Sequence, residues 1–176
     1  MLAAALVTSV LLGGVFLLVE HRHRSSSAGG SLEHPLTDAA TQAQVVESAR
    51  QIVTVAGLKA TTAGYLLMSC KNREDPPYQG TVYLTFALPA DTRADAYFRD
   101  IAATLTSRGW TQGLPSNEHV FGRTLSRDAV TAIIYRHDDD TGAGVLQLYG
   151  QCRNTNDHRR DTTAWVDITN QFGAGR

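Results

Sequence analysis

Cysteine and lysine are almost absent from this 176-residue chain: it has two of each, Cys70 and Cys152, Lys59 and Lys71. Two thiols allow at most one internal disulfide. Neither thiol has a second Cys or a His at ligand spacing, which argues against a zinc site. The six histidines include no H-x-x-x-H pair, and there is no Gly-rich phosphate loop. No metal and no cofactor is expected. Charge of one sign is also lacking. Sixteen basic residues stand against 17 acidic ones, so there is no electrostatic case for nucleic acid. All the basic residues but the two lysines are arginines, a skew that reads as high-GC coding bias rather than as an interaction signal.

What is present begins with an uncharged run over 2–19, LAAALVTSVLLGGVFLLV. At about 1.5 Å rise per residue it spans roughly 27 Å as a helix, close to the ~30 Å of a hydrocarbon core. Glu20 and the basic patch His21-Arg22-His23-Arg24 end it, and a Ser/Gly stretch over 25–31 follows. A cleaved signal peptide is the rival reading. It needs a charged n-region, a shorter apolar core and a nearby small-x-small site. Here the n-region is absent, and Ser26-Ser27-Ala28 lies beyond the charged patch. No Cys follows the run, so lipidation of a new N-terminal Cys is excluded. The run therefore reads as an uncleaved single-pass anchor. Arg22 and Arg24 by themselves argue for a cytoplasmic domain. The lone Cys pair, suited to an oxidising compartment, and the Ser/Gly tether argue for the extracytoplasmic side, which is the favoured topology.

The expected organisation is an anchor over 1–20, a juxtamembrane patch and tether over 21–36, one globular domain over 37–170 and a tail over 171–176. Thr37 or Asp38 can cap a helix from Ala39, with Gly57 as its stop. Strands are expected over 61–70 and 79–88; the second alternates most clearly, with Val82, Leu84, Phe86 and Leu88 on one face. Asp91 can cap a helix through Arg108, whose stripe is Ala94, Tyr97, Phe98, Ile101 and Leu105. Gly109 suits its end, with Trp110 as a core plug. Three strands over 119–125, 129–136 and 145–152, joined by tight turns, imply an antiparallel meander. Trp165, Val166 and Ile168 add a short last strand or fold back onto the domain. The class is α+β: a two-layer domain with an antiparallel sheet of about five strands and two helices on one face.

Candidate sites are few. Cys70 and Cys152 each end a strand-like run and are expected to form a disulfide, against the alternative of two buried free thiols. Asp140-Thr141-Gly142 spells the aspartic-protease triplet, but it sits in the acidic turn HDDDTGAG, where Asp and Gly serve backbone needs. His137 with Asp138, Asp139 and Asp140 lacks the Glu of a calcium loop. Asp157-His158-Arg159-Arg160 has no activated nucleophile beside it. Pro76, Pro77 and Tyr78 form a candidate interaction surface, a rigid Tyr contact after two prolines. The alternative is a strand-entry turn that packs its Tyr inward.

The opening P-P-Y-Q-G-T-V-Y at 76–83, the helix D-A-Y-F-R-D at 95–100 and the ending L-Y-G-Q-C-R at 148–153 carry a resemblance. Together with the anchor, the tether and the Cys pair, they resemble the uncharacterised membrane-anchored or lipoprotein-like exported proteins of actinobacteria. These motifs are structural, so no catalytic residue is implied. The expected role is a non-enzymatic module at the cell envelope, held to the membrane by its first helix. Its expected partner is an envelope protein or cell-wall component. The alternatives are an envelope hydrolase using Asp and His groups, favoured by a pocket joining His137 or His158 to a carboxylate, and a carrier of a small apolar ligand or lipid, favoured by a cavity between sheet and helices.

Overall fold

The computed structural model describes residues 34–71, 75–115, 118–161 and 164–173. The anchor, the basic patch and the Ser/Gly tether lie outside them. Among the described residues no helix is long and apolar enough to cross a membrane. Pro35 onward forms one compact unit.

Helix α1 (Asp38–Ala56) starts where its cap residue dictates: the Thr37 hydroxyl accepts from the Ala40 amide at 3.2 Å. It stops at Gly57, whose φ of +62° suits glycine, while the Leu58 amide donates to the Val53 carbonyl. Its buried face is Val45, Val46, Ala49 and Ile52. Strands β1 (Lys59–Ser69) and β2 (Tyr78–Ala87) follow as an antiparallel pair with a register shift between Ala60 and Thr62. Helix α2 (Ala94–Thr106) begins two residues later than the Asp91 cap implies. The Thr92 amide is held in a turn by the Pro89 carbonyl, and Arg93 occupies the cap position without a side-chain capping bond. Gly109 (φ +89°) ends it, and Trp110 is buried as expected.

The sheet is wholly antiparallel and has seven strands in the order β3-β4-β5-β6-β2-β1-β7. Beyond the expected five, β7 (Val166–Asp167) is the short last strand that Trp165, Val166 and Ile168 offered as one alternative. The two-residue edge strand β3 (Thr111–Gln112) is an addition, too short to show a period in sequence. The meander β4 (Arg123–Arg127), β5 (Val130–Arg136) and β6 (Ala143–Tyr149) is present. Its first strand is displaced from 119–125, because 118–122 forms a turn with Phe121 at φ +59°. The β4–β5 connection is a two-residue hairpin turn at Asp128 and Ala129, both at positive φ, the sign pattern that matches the twist of the strands.

Alternation sorts the sheet into two faces. Val82, Leu84, Phe86, Ala132, Ile134, Leu146 and Leu148 are buried against both helices. The space there is filled: Trp110, Phe86, Phe98 and Leu105 are at most 2% exposed. Among the described residues no helix covers the other face. It carries Leu66, Met68, Tyr83, Ile133, Gln147 and Tyr149, all partly exposed.

Candidate functional site

Two regions concentrate the polar chemistry. The first is where the chain enters the domain. Asp38, first residue of α1, accepts at one carboxylate oxygen from Asn154 Nδ2 (2.7 Å), Asn156 Nδ2 (2.8 Å) and His158 Nε2 (3.0 Å). The other imidazole nitrogen, Nδ1, meets Asp161 at 2.6 Å. The His158 side chain is 10% exposed, and its ring stands edge-on to Tyr78 at 5.0 Å. Burial opposes the imidazolium, but hydrogen bonds to Asp161 and Asp38 outweigh it and raise the His158 pKa. Hydrogen bonds from Asn154, then Asn156 and His158, hold the Asp38 carboxyl below its ordinary range against the opposing effect of burial.

The backbone joins the same knot. Tyr78 and Asn154 exchange amide–carbonyl bonds at 2.7 and 3.1 Å, and the Leu36 amide donates to Arg153. Cys70 and Cys152 are disulfide-bonded, with Cα atoms 6.0 Å apart, and the Cys70 amide donates to Pro77. The fold thus gathers three separate sequence candidates, the Cys pair, 76–78 and His158, at one end of the sheet. It corrects one of them. Tyr78 is 2% exposed, so its ring is not an available contact surface; Pro76 and Pro77 are half-buried. The turn packs its Tyr inward because His158 supplies an edge for it and Asn154 takes up its backbone.

This arrangement clasps the start of α1 to the 154–161 segment. Both ring nitrogens of His158 are engaged by carboxylates, so neither is left to take a proton from a nucleophile. His137 lies elsewhere, its Nδ1 accepting from the Asp139 amide, and Asp140 accepts from the Gly142 amide within the same turn. Among the described residues no group of three or more His, Cys, Asp or Glu side chains could hold a metal.

The second region is a groove of about 530 Å³ on the uncovered face, lined by Thr62, Gly64, Tyr83, Trp165, Asp167 and Thr169. Trp165 lies over Gly64 so closely that a Cβ there would meet its ring at 3.1 Å. The indole thus substitutes for the missing side chain of β1, yet stays 48% exposed. The Tyr83 ring stands 6.2 Å away at 61°. Thr169 fixes the floor, accepting from the Ala63 amide (2.9 Å) and donating to its carbonyl (3.3 Å). Hydrogen bonds from Thr169, side chain then backbone, hold the Asp167 carboxyl low. Of the two expectations for Trp165, Val166 and Ile168, a short last strand or a fold-back onto the domain, the strand is present at Val166–Asp167, and the groove beside it was not anticipated. A lone glycine in a strand, Gly64, was the available signal for a close approach.

Comparison with known proteins adds a family. A protein-family model described as "Putative lipoprotein LppJ" matches residues 37–171. Proteins named "Putative lipoprotein LppJ" in two Mycobacterium tuberculosis strains, CDC 1551 / Oshkosh and ATCC 25618 / H37Rv, are 44% identical over 177 residues, 98% of this chain and 90% of each relative. One in Mycobacterium bovis AF2122/97 is 43% identical over 176 residues, 97% of this chain and 90% of that relative. No solved structure matches.

Proposed function

Because this chain belongs to the LppJ family of lipoprotein-like proteins, we propose that it is a non-enzymatic binding module displayed on the outer side of the cell membrane. The observation that carries this reading is the groove on the uncovered sheet face, where an exposed indole and a carboxylate flank a preformed cleft. The resemblance to actinobacterial exported proteins agrees with the mycobacterial relatives. Residues 1–69 contain no Cys, so an acylated thiol is not available in that stretch, and the apolar run over 2–19 is the proposed anchor. The disulfide supports the oxidising side. The test is membrane fractionation of the full chain with a reporter fused after Arg176. Recovery in the membrane after alkaline washing, with a reporter active only outside the cytoplasm, is expected. A cytosolic reporter signal, or release of the chain as a soluble species beginning near Ser25, overturns it.

A further inference from the structure

We propose that the groove over Gly64 receives an organic ammonium group, held between Trp165, Tyr83 and Asp167. The inference rests on the reading of the domain as a binding module, and is independent of its anchor and its side of the membrane.

The argument begins with what the lining has left to offer. Both threonine hydroxyls of the lining are already paired within the protein. Thr62 Oγ1 is 2.6 Å from Thr85 Oγ1. Thr169 Oγ1 both accepts from and donates to Ala63. A glycan, which needs many polar partners for its hydroxyls, therefore finds few here.

Two aromatic surfaces and one anion remain. The indole is pinned against Gly64 and presents exposed surface to solvent. Tyr83 stands at an angle to it, so the two rings form two walls of a corner. Asp167 follows two residues after Trp165, and one of its oxygens accepts from the Thr169 amide at 2.8 Å, which fixes the side chain in place. No described lining residue is basic. Aromatic walls with a single carboxylate attract a cation with apolar substituents, by the ring quadrupoles and by charge. They repel phosphates and carboxylates. The walls are already positioned by backbone and glycine packing, so little ordering is required on binding.

The ammonium has two possible sources, a free methylated amine or the basic side chain of a partner polypeptide. The experiment uses the purified full chain in detergent micelles at low salt. Fluorescence is followed during titration with choline chloride, Nα-acetyl-lysine amide, glucose and sodium chloride. Of the two tryptophans, Trp110 is buried, so the ligand-sensitive signal belongs to Trp165. Saturable quenching by choline or the lysine derivative is expected, with a dissociation constant on the order of 1–10 mM, and glucose is expected to give none. Tighter choline binding identifies a methylated amine; tighter lysine binding identifies a protein side chain. Asp167→Asn is expected to weaken binding about threefold to fivefold. Trp165→Phe, which keeps a ring over Gly64, is expected to retain binding read by NMR of the ligand methyl groups, and Trp165→Ala to lose at least tenfold. No saturable change with either cation, or saturation by glucose instead, overturns the proposal. The fractionation result would be untouched by that failure.

Discussion

The clasp around His158 makes the domain's stability depend on pH in a defined direction. Removing the ring by His158→Ala deletes two imidazole–carboxylate contacts and the edge against Tyr78. Buried charge-assisted bonds contribute about 1.5–3 kcal/mol each. Asp38 and Asp161 are 53% and 60% exposed, so solvent screening brings each contact down to about 0.5–1 kcal/mol. The ring contact adds roughly 0.5 kcal/mol. The total is about 2 kcal/mol while the imidazole is charged, or about 6 °C in melting temperature for a domain of this size. The His158 pKa is raised above its ordinary 6.5. Its contribution is therefore complete below pH 6.5 and lost as pH rises through the folded value. Asp38 is shifted below 3.8, so its contribution is present above that pH and lost as pH falls through the lowered value. The clasp is strongest between about pH 4 and pH 6.5. Circular-dichroism melts of the full chain and the variant at pH 5.5 and 8.5 measure the gap directly. We expect it to shrink by about half at pH 8.5. A gap equal at both pH values, or larger at pH 8.5, refutes the reasoning.

Three further outcomes are open to measurement. Replacing both cysteines by serine removes a crosslink between residues 82 apart. In the chain-entropy model that costs about 4.5 kcal/mol, a fall in melting temperature of roughly 10–15 °C; non-reducing mass spectrometry of the exported chain should find no alkylatable thiol. Gly80→Ala puts a Cβ 2.7 Å from the Thr41 carbonyl on the facing turn of α1, and a loss of about 1–3 kcal/mol in urea denaturation is expected. Ala129→Gly relieves a non-glycine residue at φ +59° in the β4–β5 turn; a gain of about 0.5–1 kcal/mol by the same assay is expected.

The layers were legible because each rests on a short-range pattern. Val82, Leu84 and Phe86 alternate, Ala94 to Leu105 recur at helical spacing, and Thr37 and Gly57 bracket α1 with ordinary capping chemistry. What escaped was set by long-range contact. The Asp128-Ala129 turn lacks the glycine that normally announces positive φ. Phe121 likewise hides the turn that pushes β4 two residues or more along. Gly80 and Gly150 carry no periodic signal, yet both lie under α1, close to Thr41, Gln44 and Val45. Asp161, three residues on, is a local partner of His158, but the second carboxylate, Asp38, reaches the ring only after 120 residues of chain are folded back. The groove needed Trp165 to cross onto Gly64, about 100 residues earlier, an approach that no window on the sequence contains.

The knot at Asp38 also decides how the domain bears mechanical load. Any tension reaching Pro35 from the preceding segment arrives first at the Leu36 amide on Arg153 and at the Asp38 carboxylate on Asn154. One residue from Arg153, the Cys152–Cys70 crosslink hands the force covalently to the end of the longest strand pair. Helix α1 is thus not peeled from its end alone; the domain resists as a stitched hem, and reduction of a single bond cuts its strongest thread.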